Sequence, residues 1–269
     1  MKNLLSKKFW DEKYNKEKID DQMYISKFSK FSKFSRLLSP YVNEIILKII
    51  YDRLKGKKIN KIVEIGSAPG YFICEVAKEL KSIPFGIEIS STGYEMNKKV
   101  FQMKGYDETN VIFADFFSQT IDRYEGFFDL VVSRGFIEHF DDPEQVLKRH
   151  LKILKKDGYL VVTVPNKTGF NKIITRFLNE KSLEGHNLET MKLSFFEDFA
   201  KKNHIKICFL GYAGIFDIYQ FNPSKNKKKI FDLMMKIQKI LYIFYRMKPD
   251  SLNFDSKNFS PLVVFIARK

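Results

Sequence analysis

The chain alternates between two patterns of apolar residues from Ile62 onward. Short apolar runs, which predict buried strands, are separated by segments whose apolar residues recur every three or four positions, which predicts helices. The runs are KIVEI, PFGIEIS, NVIFADFF, FFDLVVS and YLVVTVP, and IKICFLGY and LVVFIARK follow later. Strands that alternate with helices indicate a mostly parallel sheet with helices on both faces, so the pattern predicts an α/β fold.

The regular alternation defines the expected organisation of residues 1–269, which we interpret as one domain. Residues 1–58 are expected to form an N-terminal helical cap. Within it, the repeat SKFSKFSKFSR over residues 26–36 would place its phenylalanines in one stripe along a helix. Residues 59–165 form the alternating core. Residues 166–192 and 215–260 interrupt the pattern and are expected to be lid insertions that bind an acceptor, the first after strand 5 and the second between strands 6 and 7.

The charge of the chain leaves two interpretations open. A formal net charge of +15 favours an anionic partner such as nucleic acid or an acidic membrane. However, 39 lysines outnumber 8 arginines, and arginine is the side chain preferred for bidentate phosphate and base contacts. A solvated lysine surface is therefore the alternative. The charged first residues and the lack of a long apolar run predict a cytoplasmic location.

The second insertion contains an amphipathic segment, KKKIFDLMMKIQKILYIFYRMK. One interpretation is peripheral contact of residues 225–248 with an acidic membrane. The other is a lid helix packed on the core or on a second subunit, so a homodimer stays open. The predicted apolar face comprises Ile230, Leu233, Met234, Ile237, Leu241 and Phe244.

A turn between the first predicted strand and the next helix reads EIGSAPG, from Glu64 to Gly70. It resembles the first motif of the class I S-adenosylmethionine-dependent methyltransferases, with Ala68 in place of the middle glycine. Glu88 ends the second strand and Asp115 ends the third, in register with that family. The resemblance implies a Rossmann-like seven-stranded sheet with an antiparallel last strand, and S-adenosylmethionine as the cofactor. The implied cofactor-binding residues are Glu64, Gly66, Ser67, Ala68, Gly70, Glu88, Ile89, Asp115, Phe116, Ser133 and Arg134.

The resemblance implies transfer of a methyl group from sulfur to an acceptor, with S-adenosylhomocysteine as the product. An oxygen acceptor needs a base, and histidine titrates near neutrality. Of the four histidines, His139 follows the fourth strand and His186 lies in the first insertion, so these two are the candidate catalytic residues. His150 is expected to be a core residue. Two related methyltransferase groups hold a divalent metal with Glu-x-x-Glu-His; here Gly135 replaces the first glutamate, and we expect no metal.

The acceptor is less constrained than the cofactor. The Asp/Asn-Pro-Pro-aromatic motif of DNA amino-methyltransferases is absent after the fourth strand. We expect a small molecule or a glycan or lipid-linked precursor as the acceptor, with RNA as the alternative because of the basic charge. A non-catalytic scaffold that keeps the fold is the competing class.

Overall fold

The computed structural model describes residues 3–15, 41–221, 223–247 and 255–269. The predicted phenylalanine stripe over residues 26–36 lies outside them. The helices are α1 (7–15), α2 (Val42–Leu54), α3 (Tyr71–Leu80), α4 (Ser91–Met103), α5 (Pro143–Ile153), α6 (Gly169–Asn179), α7 (Leu193–Lys202) and α8 (Lys228–Met247). The strands are β1 (Lys61–Ile65), β2 (Ile83–Glu88), β3 (Val111–Phe113), β4 (Phe128–Arg134), β5 (Leu154–Pro165), β6 (Lys206–Ala213) and β7 (Leu262–Arg268).

The seven strands form one sheet in the order β3-β2-β1-β4-β5-β7-β6. Strands β1 to β5 pair in parallel, and β7 runs antiparallel to both β5 and β6. The predicted Rossmann-like sheet is therefore confirmed. The strand order reverses between β1 and β4, and open α/β sheets bind their ligands at the carboxyl ends of the strands beside such a reversal.

Helices cover both faces of the sheet, each over its own hydrophobic core. On one face, Val146 and Leu147 of α5 and Phe196 of α7 pack against the sheet. On the other face, the buried apolar residues of α2, α3 and α4 pack together with Tyr242 of α8. Both surfaces of the central strands are thus removed from water, which explains why their sequences are continuous apolar runs.

The boundary between α5 and β5 differs from the sequence-based expectation. The segment DDPEQVLKRHLKILKKDG, residues 141–158, predicts a helix that Asp142 caps and that ends before its last glycine. Asp142 does cap α5, because it accepts a hydrogen bond from the Gln145 amide at 3.0 Å. The helix was expected to continue to the glycine at residue 158, but it ends at Ile153, and Leu154 already pairs with Phe128 of β4. The Asp157 amide donates to the Lys269 carbonyl at 3.1 Å. Hydrogen bonds to neighbouring chain segments therefore outweigh the helical preference of these residues.

Helix α8 turns its apolar face outward. The side chains that it buries are Gln238 and Tyr242. The Gln238 amide group donates to the Phe216 carbonyl and accepts from the Ile218 amide, both at 3.0 Å. The Tyr242 hydroxyl donates to Asp217 at 2.9 Å. The apolar face that the sequence predicts is not buried as a unit. Met234 and Leu241 are half-buried, and the other four members are exposed: Ile230, Leu233, Ile237 and Phe244. Among the described residues, no helix is long and apolar enough to cross a membrane.

Candidate active site

A cavity of about 760 Å³ opens at the carboxyl ends of β1, β2 and β4. This volume lies within the range of small-molecule sites. Seven of the predicted cofactor-binding residues line it: Gly66, Ala68, Glu88, Ile89, Asp115, Phe116 and Arg134. The other four, Glu64, Ser67, Gly70 and Ser133, are not among its lining residues and lie in the layer around it. Ser133 is fully buried, and its hydroxyl has no partner among the described residues.

The turn after β1 is shaped by two glycines with positive φ, Gly66 at 68° and Gly70 at 100°. Side chains other than glycine are strained in this region. The Gly66 amide donates to the Ile87 carbonyl at 2.9 Å, which ties the turn to β2. Behind the turn, the side-chain amide of Asn97 donates to the Ser67 hydroxyl, and both residues are buried. Ser67 and Gly70 thus fix the loop rather than face the cavity.

Glu88 ends β2 with its carboxylate directed back at the turn. One oxygen accepts from the Ser90 amide at 2.8 Å, and the other accepts from the Ala68 amide at 3.3 Å. The side chain is 3% exposed, and burial raises its pKa while these hydrogen bonds oppose the rise. A carboxylate offers about four lone-pair sites. Acceptor capacity therefore remains for hydroxyl groups of a ligand.

A buried ion pair lies at the ends of β1 and β4. Arg134 Nε donates to Glu64 Oε1 at 2.7 Å, and the guanidinium lies 3.8 Å from the centre of the Phe72 ring. Glu64 Oε2 is buried without a partner among the described residues. Burial raises the Glu64 pKa, and Arg134 opposes this rise. The site thus presents a cation at the cavity wall, with an incompletely satisfied carboxylate behind it.

Asp115 and Phe116 follow β3 and form another part of the wall. Asp115 Oδ1 accepts from the Phe117 amide at 2.9 Å. Phe116 packs edge-on against Phe136 and His150, with centroid separations of 6.0 Å and 4.9 Å. The imidazole of His150 is fully buried, as expected for a core residue, and burial lowers its pKa to about 4. This part of the wall combines a carboxylate with an aromatic surface.

The two candidate catalytic histidines lie together, with ring centroids 4.9 Å apart. His139 lines the cavity, whereas His186 is not among the lining residues. His139 Nδ1 lies 2.7 Å from the Gly185 carbonyl, and since a carbonyl only accepts, Nδ1 carries the proton and Nε2 has the free lone pair. Burial lowers the pKa of His139 to about 4 and that of His186 to about 3. Both rings are therefore neutral at neutral pH.

Glu138 and Lys167 are buried beside these histidines. Both Glu138 carboxyl oxygens lack a partner among the described residues. Burial raises the Glu138 pKa to about 8 and lowers the Lys167 pKa to about 8, and each opposes the shift of the other. The Lys167 ammonium donates to the Ser182 carbonyl at 3.4 Å. Sequence reasoning missed Lys167, because a single lysine in a lysine-rich chain carries no pattern.

Glu138, His139 and His186 also form a group that could hold a metal ion. One ligand atom from each residue lies within 4.8 Å of the other two. Against this, the positive charge of Lys167 opposes a cation beside it, and Gly135 replaces the further carboxylate that would complete the set. The expectation of no metal stays a prediction.

Comparison with known proteins identifies the family. The family model described as "Methyltransferase domain" matches residues 34–209, which is more than half of the chain. The chain belongs to this family. The predicted membership in the class I S-adenosylmethionine-dependent superfamily is thereby confirmed, and S-adenosylmethionine is the cofactor. A search of curated protein sequences finds no match.

Solved structures share the fold of this methyltransferase at low sequence identity. The MccD protein has a TM-score of 0.58 and 13% identity, covering 86% of this chain and 99% of its own. A S-adenosylmethionine-dependent methyltransferase from Archaeoglobus fulgidus has a TM-score of 0.53 and 14% identity, covering 84% and 94%. Phosphoethanolamine N-methyltransferase 2 from Haemonchus contortus, in complex with S-adenosylmethionine, has a TM-score of 0.52 and 18% identity, covering 83% and 52%. These likenesses concern the fold alone.

The donors and acceptors at the methyltransferase cavity fit this cofactor. The spare acceptor sites of Glu88 suit the two ribose hydroxyls, and Asp115 beside Phe116 suits the amino group and face of adenine. The Arg134 cation at the cavity wall suits the carboxylate of the methionine part. The cavity wall therefore has a complement for the ribose, the adenine and this carboxylate.

Helix α1 supplies a cavity wall that the sequence did not predict. Trp10, Lys13 and Tyr14 line the cavity, and Trp10 packs edge-on against His139 with centroids 5.6 Å apart. The Ser90 hydroxyl donates to Asp11 at 2.5 Å, which ties α1 to the end of β2. The aromatic residues of FWDEKY were the available signal, but nothing in a nine-residue segment shows what it will cover.

Proposed function

We propose that this methyltransferase methylates an oxygen of a small molecule or of a glycan or lipid-linked precursor, with His139 as the base. The position of His139 at the cavity wall, with its Nε2 lone pair unprotonated, carries the proposal. His186 lies behind it and is the second candidate.

Bound S-adenosylmethionine supplies an electrophilic methyl group on a positively charged sulfur. The chain would contribute by holding the acceptor hydroxyl in line with that group, since alignment supplies much of the rate in such reactions. His139 Nε2 would accept the proton that the acceptor oxygen loses when the methyl group passes to it from sulfur, which would leave S-adenosylhomocysteine. Glu138 Oε1 lies 3.8 Å from this nitrogen, so Glu138 in its carboxylate form would stabilise the resulting imidazolium.

The acceptor class can be found by incubating the protein with methyl-labelled S-adenosylmethionine and extracts separated into aqueous small molecules, lipids and RNA. We expect label in the small-molecule or lipid fraction. Label in ribonuclease-sensitive material would instead show an RNA methyltransferase.

The base is tested by kcat at saturating cofactor. His139→Ala should lower kcat by about 10² to 10⁴ with little change in S-adenosylhomocysteine affinity, since a general base contributes this much. His204→Ala, which removes an exposed histidine, is the matched control. If His139→Ala and His186→Ala both lose less than about tenfold, catalysis rests on alignment without a base.

A further inference from the structure

Helices α6 and α8 carry more than half of the exposed large apolar side chains in the described part of the chain. Nine of the seventeen exposed large hydrophobic residues in the described part of the chain lie on them. On α8, six side chains follow the spacing 3, 4, 3, 4, 3, which forms one stripe on a helix. They expose between 41% and 74% of their surface: Ile230, Leu233, Ile237, Ile240, Phe244 and Met247.

The exposed side of α6 adjoins the start of this stripe. Phe177 is exposed on α6, and its ring lies 4.2 Å from the Lys227 ammonium, just before α8 begins. Ile173 lies one turn earlier on α6 and is 63% exposed. Ile174, on the neighbouring face of α6, packs against the same small core as Phe231 and Met234 of α8. The exposed apolar side chains of the two helices thus flank a shared core.

The orientation of this surface is fixed by polar contacts on the inner side of α8. Besides the bonds of Gln238 and Tyr242 described above, Arg246 donates to Glu44 of α2 at 2.7 Å. The Tyr245 ring stacks on Tyr41 with centroids 4.4 Å apart. These contacts hold the inner side specifically, so the outward direction of the stripe is a built property of the fold.

The charges around the stripe identify its partner. Residues 225–247 contain six lysines and Arg246 but a single acidic residue, Asp232. The 3-4 spacing would also suit pairing of α8 with α8 of a second copy of the chain. Such a pair would bring six lysines of one copy close to six of the other, with one aspartate in each copy to offset their repulsion. An anionic lipid surface neutralises the same lysines while its acyl boundary accepts the apolar side chains. We propose that α6 and α8 bind the surface of an acidic membrane.

Vesicle flotation tests this proposal without any use of the methyl-transfer activity. The full chain should float with vesicles of phosphatidylcholine containing roughly one third phosphatidylglycerol and stay behind with phosphatidylcholine alone. Binding should decrease when salt rises from about 0.1 M to 0.5 M.

Two pairs of variants separate the apolar and the charged contributions. Leu233→Asp with Ile240→Asp should reduce the bound fraction at least about tenfold. Ile83→Asp with Met103→Asp, at side chains of similar exposure elsewhere, should leave binding unchanged. Lys236→Glu with Lys239→Glu should also abolish binding to acidic vesicles, and Lys57→Glu with Lys58→Glu is its control. Melting curves show that each variant is folded.

Three outcomes would overturn the proposal. Equal binding by the control and surface variants would place the contact elsewhere. A dimer in light scattering that Leu233→Asp dissociates, without flotation of the wild type, would show that the stripe pairs two copies. A monomer that does not float would show that other residues of the chain cover the stripe.

Discussion

The Glu88 carboxylate offers a direct test of the cofactor site through the variant Glu88→Gln. Its two oxygens accept from the Ser90 and Ala68 amides and line the cavity. A glutamine keeps the shape but has a single acceptor oxygen, so its NH2 group must face one of these amides or the ligand. Ligand hydroxyls therefore lose the charged acceptor that they would share.

Hydrogen bonds to charged groups contribute about 1.5 to 3 kcal/mol, and part of this is retained by the amide oxygen. We expect S-adenosylhomocysteine to bind Glu88→Gln more weakly by about 1 to 3 kcal/mol, or roughly 5- to 150-fold. Isothermal titration calorimetry measures this directly. The wild type itself must bind, because no binding at millimolar ligand would favour a non-catalytic scaffold.

Asp129→Asn is a matched control at the other end of the strands, where β1 and β4 begin. Asp129 also accepts from two backbone amides, those of Asn60 at 3.1 Å and Lys61 at 2.9 Å, at the start of β1. This variant should change the free energy of unfolding without changing the ligand affinity. If folded Glu88→Gln binds within about threefold of the wild type, the assignment of the ribose contact to Glu88 is wrong.

Three further predictions concern the turn, the core and the metal question. Gly70→Ala should destabilise the fold by more than about 1 kcal/mol in urea unfolding, because φ is 100° and the added methyl would overlap the Asn97 carboxamide. Gly105→Ala, where φ is also positive at 77° but the methyl meets no atom, should cost less and isolates the overlap. The free energy of unfolding should decrease as pH falls from 6.5 towards 4, because the unfolded state binds the His150 proton first; His150→Leu should reduce this slope by up to about 1.4 kcal/mol per pH unit. EDTA should leave methyl transfer unchanged, and a loss restored by Mg²⁺ or Mn²⁺ would show that Glu138, His139 and His186 hold a metal.

The elements of the site that the sequence predicted are those with a fixed place in the fold. Glu88 ends β2 and Asp115 follows the end of β3, so their position at the cavity follows from the topology. The end of α5 was not predictable, because the ladder partners of Leu154 and Asp157 come from distant parts of the chain. The sequence left open whether the apolar face of α8 points outward or packs on the core, and it could not decide because the inner side is held by hydrogen bonds from Gln238 and Tyr242 rather than by apolar burial.

Helix α1 forms part of the cavity wall, so the release of a ligand past it depends on how firmly the helix is held. It contributes Trp10, Lys13 and Tyr14 to the wall, and the Leu4 amide just before it donates to the His139 carbonyl at 2.7 Å. A ligand that leaves past this wall has to displace α1, which is held by the Ser90–Asp11 hydrogen bond and by the contact of Trp10 with His139. The exchange of a ligand by this route therefore depends on how often the N-terminal segment opens, which is a property of the fold separate from the methyl-transfer chemistry.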